Sequence, residues 1–292
     1  MSRLAVITPL AGVLLGGFVV PANAQASKPL PIVAAESFYG DIAKQVGGAH
    51  VTVTSILSSP DQDPHLFEAS PSVARNLSAA GIVIYNGIGY DPWVEKLLAA
   101  SRRPDRKAIV VAELIGKKPG DNPHVWYDPA TMLALARTLA DSLSAADPAH
   151  AADYTRNLAA FQHSMEPVTA KIAALRSRLA GTPVTATEPV FGYMFDALGM
   201  TIRNQPFQLA VMNNTEPGAS DIVAFENDLK THQVKLLVYN SQASSPVAAR
   251  MERIARASHV AVVGVAETEP AGKQYQTWMT SELDAVDRAL PK

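Results

Sequence analysis

Hydrophobic positions along this chain fall into two alternating patterns: short β-branched runs, and longer segments with an apolar residue every three or four positions. The runs at 31–35, 51–57, 82–85 and 108–114 read as strands, and those at 183–186, 201–203, 235–239 and 260–265 continue the theme. Helices are predicted between and after them, over 37–46, 71–80, 93–100, 131–145, 190–198, 221–231, 246–257 and 275–290. Such alternation implies right-handed crossovers and mostly parallel sheets, whose ligands bind beyond the carboxyl ends of the strands.

Between 148 and 180 the pattern changes. Leu158, Phe161, Met165, Val168, Ile172, Leu175 and Leu179 recur at steps of three and four, as on one face of a single helix. Such a helix would be roughly 50 Å long. Pro167 is expected to kink or break it, and Gly181 to end it. The chain therefore reads as an α/β protein of two lobes, each a mostly parallel sheet flanked by helices. The lobes span 27–147 and 181–292, and the long helix at 148–180 joins them across a cleft. No close sequence repeat relates the halves.

Residues 1–26 read as a secretory signal peptide. Arg3 marks the basic start, 4–20 is apolar, and Ala22-Asn23-Ala24 offers small residues for cleavage after Ala24 or Ala26. The expected location is the periplasm. Of the 292 residues 48% are hydrophobic and 18% charged, as suits a two-lobed globular protein, and a net charge of −2 supplies no field for nucleic acid or anionic lipid. There is no cysteine, so disulfides, thiolate ligands and a lipidated N-terminal cysteine are not expected.

Two stretches share a grammar of proline, histidine and the start of a helix. One is Asp63-Pro64-His65-Leu66-Phe67-Glu68-Ala69-Ser70-Pro71, the other Asp121-Asn122-Pro123-His124-Val125-Trp126-Tyr127-Asp128-Pro129. Pro123 keeps Asn122 out of the helical region and Pro129 fits a first helical turn, so His124 sits on a short, stiff connection. Two such corners suit a metal site assembled from different loops; the other reading is that each histidine caps or orients its loop. His50, His150, His163, His232 and His259 lie beside helix ends or on polar faces and read as structural or solvated.

These corners resemble the two metal motifs of the zinc- and manganese-binding substrate-binding proteins of ABC transporters. The likeness extends over nearly all of the chain after residue 26, including the central helix and Glu216-Pro217 before a second-lobe helix. It implies His65 and His124 as the first two ligands. The family's third ligand, His or Glu, follows the first strand of the second lobe, where this chain has Glu188 ahead of Phe191 and Tyr193. The fourth is usually an aspartate after the last strand. Here Val265-Ala266-Glu267-Thr268-Glu269 has none, which makes Glu267 the implied ligand by distance from the strand and Glu269 the alternative. Asp63, Glu68, Asn122 and Asp128 flank the ligands and are candidates for orienting the imidazoles. Trp126 reads as a cover over the site or as a core aromatic, and Asn240 as an outer group.

Two imidazoles and two carboxylates would offset the charge of one divalent ion. The set has no soft donor, which leaves manganese, zinc and iron(II) as cargo. Zinc-type members of the family commonly carry a His-rich loop between the first two ligands, and its absence here leans toward manganese. The resemblance implies a periplasmic receptor, expected to be monomeric, that captures the ion and delivers it to a membrane permease without catalysis. A periplasmic metallochaperone is an open further partner. The alternative is a secreted metallohydrolase using His65, His124, Glu188 and a metal-bound water, with Glu267 standing off as general base. Neither a His-Glu-x-x-His helix nor a Gly-x-Ser-x-Gly elbow supports it. A third reading, a receptor for an organic solute or metal chelate, needs a roomier cleft.

Overall fold

The structure, a computed structural model, describes residue 1 and residues 28–59, 67–243 and 245–290. Residues 2–26 of the expected signal segment, with Asp63 and His65, lie outside the described residues. The first half runs β1 (Leu30–Glu36), α1 (Ser37–Gly47), β2 (Val51–Leu57), α2 (Pro71–Ala79), β3 (Ile82–Tyr85), α3 (Pro92–Ala100), β4 (Lys107–Val110) and α4 (Pro129–Ala146). After α5 (Ala151–Ser164) and α6 (Glu166–Leu179) come β5 (Pro183–Ala186), α7 (Gly192–Ala197), β6 (Thr201–Ile202), α8 (Gln205–Met212) and α9 (Ala219–Lys230). The chain then continues through β7 (Leu236–Asn240), α10 (Pro246–Ala257), β8 (Ala261–Val265) and α11 (Tyr275–Ala289).

Each sheet has four strands, ordered β2-β1-β3-β4 and β6-β5-β7-β8, and all their pairings are parallel. The halves thus repeat one topology without repeating a sequence. The inner strands β1, β3, β5 and β7 are covered on both faces and read as near-continuous buried runs, whereas the edge strand β2 alternates between half-buried and exposed residues. In β1, Ile32 and Ala34 join the core beneath α1 and α4, while Val33 and Ala35 pack with Val73, Leu77 and Val94 of α2 and α3. In β7, Leu236 and Val238 face the shared core, and Leu237 packs with Phe207, Phe225, Leu229 and Met251.

The linking segment is bent rather than continuous. A turn at Pro148–His150 leads into α5, and the break falls at Met165, two residues before Pro167, whose ring fits the first turn of α6. The predicted face is the one that packs: Phe161, Met165, Val168, Leu175 and Leu179 are buried. Elsewhere the apolar run at 108–114 is only partly strand. β4 ends at Val110, and the buried Val111 and Ala112 lead into a 3-10 turn over Ala112–Ile115. That run is apolar because it is buried, not because it pairs along its whole length. The predicted helix at 190–198 begins as a 3-10 turn, Pro189–Phe191, before α7. Helix α8 lies in a stretch for which no element is predicted, and its Phe207 is fully buried.

The lobes meet along an aromatic seam. The Phe38 ring lies 4.8 Å from Trp126 and 5.9 Å from Trp278, and Tyr127 lies 5.0 Å from Phe191. The hydroxyls of Tyr127 and Tyr275 cross between lobes to the carbonyls of Ala266 and Trp126, at 2.6 and 2.7 Å. The seam thus combines buried aromatic area with two tyrosine hydroxyls that find partners across it.

Candidate metal centre

Three buried side chains converge at the carboxyl ends of the strands. One donor atom each from His124, Glu188 and Glu267 lies within 4.8 Å of the other two, and the three residues are 0%, 6% and 1% exposed. His124 Nε2 stands 3.9 Å from Glu267 Oε2. Glu188 follows β5 and Glu267 follows β8, on either side of β7 in the second sheet. The chain reverses direction across that sheet between β5 and β7, and a ligand crevice is expected there.

Local structure sets each group. His124 is oriented by Asn122, whose Oδ1 lies 2.6 Å from Nδ1 of the ring and accepts from the His124 backbone N–H at 3.1 Å. The Asn122 amide nitrogen donates to the Pro189 carbonyl at 2.7 Å, which fixes which end of the amide faces the ring. An amide oxygen only accepts, so Nδ1 carries the proton and Nε2 presents its lone pair to the carboxylates. The corner is anchored from below by Asn86, which donates to the Pro123 carbonyl at 2.9 Å and accepts from Tyr39 at 2.5 Å.

Asn240, at the end of β7, joins the two carboxylates: its Nδ2 donates to Glu188 Oε2 at 2.9 Å and also to Glu267 Oε1. Tyr90 donates to Glu267 Oε2 at 3.1 Å. Burial first, and then the charge of Glu267, push the Tyr90 phenol well above its ordinary pKa, so it remains a donor. The turn that aims Tyr90 is strained, with φ of +80° at Gly87, +46° at Ile88 and +87° at Gly89, and Ile88 is β-branched. Gln242 closes the set by accepting from the backbone N–H groups of Glu267 and Thr268 at 2.6 and 2.8 Å.

Of the four ligand positions expected from sequence, the fold brings together His124, Glu188 and Glu267, while His65 lies outside the described residues. Glu269 does not join the cluster. It lines a separate cavity of about 470 Å³ with Ser37, Asp41 and Lys44, where burial and then the charge of Asp41 lift its carboxyl to about 8. Two expected helpers also have other roles. Asp128 caps α4, its Oδ1 accepting from Ala130 N–H at 2.9 Å, and Glu68 is exposed. Trp126 is a fully buried core aromatic whose ring lies 5.2 Å from His124. Asn86, Tyr90 and Gln242 escaped the sequence reading. The signal for the first two was an Asn-Gly turn directly after a strand, at the carboxyl edge where ligands gather.

Two parallel-sheet lobes on a bent helix, with imidazole and carboxylates meeting at facing strand ends, define the substrate-binding class of metal ABC transporters. Its members bind cargo and are not enzymes, which removes the hydrolase alternative. The chain belongs to the family of the periplasmic zinc-uptake complex component A, whose model matches residues 32–289. The metal ABC transporter substrate-binding lipoprotein SloC of Streptococcus mutans is 25% identical, the alignment covering 99% of each chain. The manganese ABC transporter substrate-binding lipoprotein PsaA of Streptococcus mitis is 24% identical over 92% of each. Among solved structures, the periplasmic zinc-binding protein TroA of Treponema pallidum superposes with a TM-score of 0.75 at 19% identity, over 91% of this chain and 100% of that one. FpvC of Pseudomonas aeruginosa, in complex with Mn2+, gives 0.72 at 23%, over 90% and 98%. No helix among the described residues is long and apolar enough to cross a membrane.

Proposed function

We propose that this protein captures one divalent transition metal in the periplasm, manganese or zinc with iron(II) as the remaining candidate, and delivers it as a monomer to an ABC permease. The ligands in this reading are His65, His124, Glu188 and Glu267, and residues 1–26 serve as the export signal. The observation that carries it is the convergence of His124, Glu188 and Glu267 within 4.8 Å, all buried, with the ring tautomer fixed so that Nε2 faces the carboxylates. Buried carboxylates this close repel one another, and a cation between them offsets both that repulsion and their desolvation. Spacing this tight suits an ion rather than an organic solute.

The test is titration of chelator-stripped protein, residues 27–292, with Mn2+ and Zn2+ separately. One equivalent is expected, with His124→Ala, Glu188→Ala and Glu267→Ala each weakening it by at least tenfold. Loss of a side chain that binds the ion directly costs no less than loss of a group that orients one. Wild-type affinity in Glu267→Ala would remove that residue from the ligand set. Delivery is read separately, as metal-dependent growth of cells whose only uptake system is this protein with its permease.

A further inference from the structure

The fold assembles a second set of ligand-type side chains away from the cleft. His50 ends the 3-10 turn Gly48–His50 that leads into β2, at the amino edge of the first sheet, whereas the cleft groups lie beyond the carboxyl edges. His150 ends the turn Pro148–His150 at the start of the linking helix. The two imidazoles stack with centroids 3.8 Å apart and planes 22° from parallel. Each ring is held by its own carboxylate: His50 Nε2 lies 2.8 Å from Asp153 Oδ2, and His150 Nδ1 lies 2.7 Å from Asp147 Oδ2. Tyr154 donates to the same Asp147 oxygen at 2.8 Å.

We propose that His50, His150 and Asp147 form a second site for a divalent cation of the zinc, nickel or copper(II) type. One donor atom from each lies within 4.8 Å of the others, and the histidine side chains are 25% and 30% exposed, so an ion has access from solvent. A carboxylate on one nitrogen of a ring is the arrangement that orients ligand histidines elsewhere, and here His50 has it from Asp153, which lies outside the ligand set. Imidazole and carboxylate donors without sulfur select borderline cations. Arg156 pairs with Asp153 at 2.7 Å and, among the described residues, no ion pair to a lysine or arginine is found at Asp147, so with neutral rings the cluster of two aspartates and Arg156 is net negative. The rings place His50 Nε2 and His150 Nδ1 on carboxylates, so His50 Nδ1 is the nitrogen left to face an ion, and His150 must turn about its Cβ–Cγ bond, releasing Asp147, for both rings and Asp147 to meet on it. Water completes the coordination. An ion here ties the end of α1 to α5, beside the bond from Asn157 Nδ2 to the Val46 carbonyl at 3.0 Å.

The probe is Zn2+ alone, added to a chain carrying Glu188→Ala and Glu267→Ala so that the cleft carboxylates are absent. One equivalent is expected to bind, with shifts in the ring C–H proton resonances of His50 and His150 as the stack opens. Adding His50→Gln or His150→Gln should weaken that binding by at least tenfold while far-UV circular dichroism stays unchanged. With the cleft intact, the same His→Gln changes should leave Mn2+ titration unaltered. Unmoved His50 and His150 resonances in the cleft-deficient chain, or Zn2+ binding that survives both His→Gln changes, would overturn the proposal. The resonances report on this cluster alone, so either result stands apart from the fate of the cleft assignment.

Discussion

The Oδ1 atom of Asn122 lies 2.6 Å from Nδ1 of His124 in one lobe, while its amide nitrogen donates to the Pro189 carbonyl, next to Glu188, in the other. A single side chain therefore sets the imidazole tautomer and ties the ring to the loop that carries a carboxylate. Asn122→Ala frees the ring to flip or change tautomer without removing a ligand. Affinity for Zn2+ is expected to fall about 10- to 100-fold, the usual cost of losing a group that orients a metal-binding histidine. Asn122→Asp keeps the acceptor and should recover part of the loss. Calorimetric titration measures both, and equal affinity in Asn122→Ala and wild type would show that the ring is fixed by other contacts.

Gly192 is the neighbour that lets Asn122 reach across. A Cβ built there would stand 2.9 Å from Asn122 Nδ2, too close for that amide to keep its place on the Pro189 carbonyl. Gly192→Ala should therefore reduce metal affinity by about tenfold although no ligand or hydrogen-bonding group is deleted. The double variant Gly192→Ala with Asn122→Ala should lose little more than Asn122→Ala alone, because both act through one contact. Additive losses in a double-mutant cycle would separate the two residues.

The strand and helix order was legible because the inner strands β1, β3, β5 and β7 are near-continuous buried runs, which contrast with the three-to-four-residue period of the helices between them. His124 was legible because prolines on both sides leave its corner few conformations. Glu188 and Glu267 were reached only through resemblance: nothing local distinguishes a carboxylate two residues beyond a strand from a solvated one, and Glu269 sits in nearly the same surroundings. Three-dimensional placement separates them, since Glu267 meets Tyr90 and Asn240 while Glu269 faces Asp41. Gln242 was illegible for a related reason. Its partners are the backbone N–H groups of Glu267 and Thr268, far along the chain, and polar residues after strands are too common to single out.

Asn240 Nδ2 donates to both Glu188 and Glu267. Asn240→Ala removes it and leaves Glu188 and Glu267 facing each other with one fewer neutral donor. The metal-free protein is expected to lose about 1–3 kcal/mol of stability, the cost of stranding a buried acceptor. The rise in melting temperature on adding metal should then be larger than in wild type if binding restores the carboxylates to their places. Thermal melts with and without Zn2+ check both parts, and an unchanged metal-free melting temperature would show that the amide does not restrain the pair.

Glu282 on α11 supplies a pH dependence that metal should not mask, because its partner is Trp278, whose Nε1 donates to Glu282 Oε1 at 3.0 Å. Burial outweighs that bond and lifts the carboxyl to about 7, against an ordinary value of 4.5. The folded state then holds the Glu282 proton more tightly than the unfolded chain does. Its stabilising contribution is therefore complete below pH 4.5 and is lost as pH rises through about 7. Asp91, lifted to about 6 by burial, acts in the same direction over a lower window. The metal-free protein should accordingly melt higher at about pH 5.5 than at about pH 8. Glu282→Gln keeps an oxygen for Trp278 and removes the titration. It should raise the melting temperature at the higher pH, leave it nearly unchanged at the lower, and so flatten the profile. A Glu282→Gln profile parallel to that of wild type would mean that Glu282 ionises normally in the folded protein and that burial at this position is less complete than its packing implies.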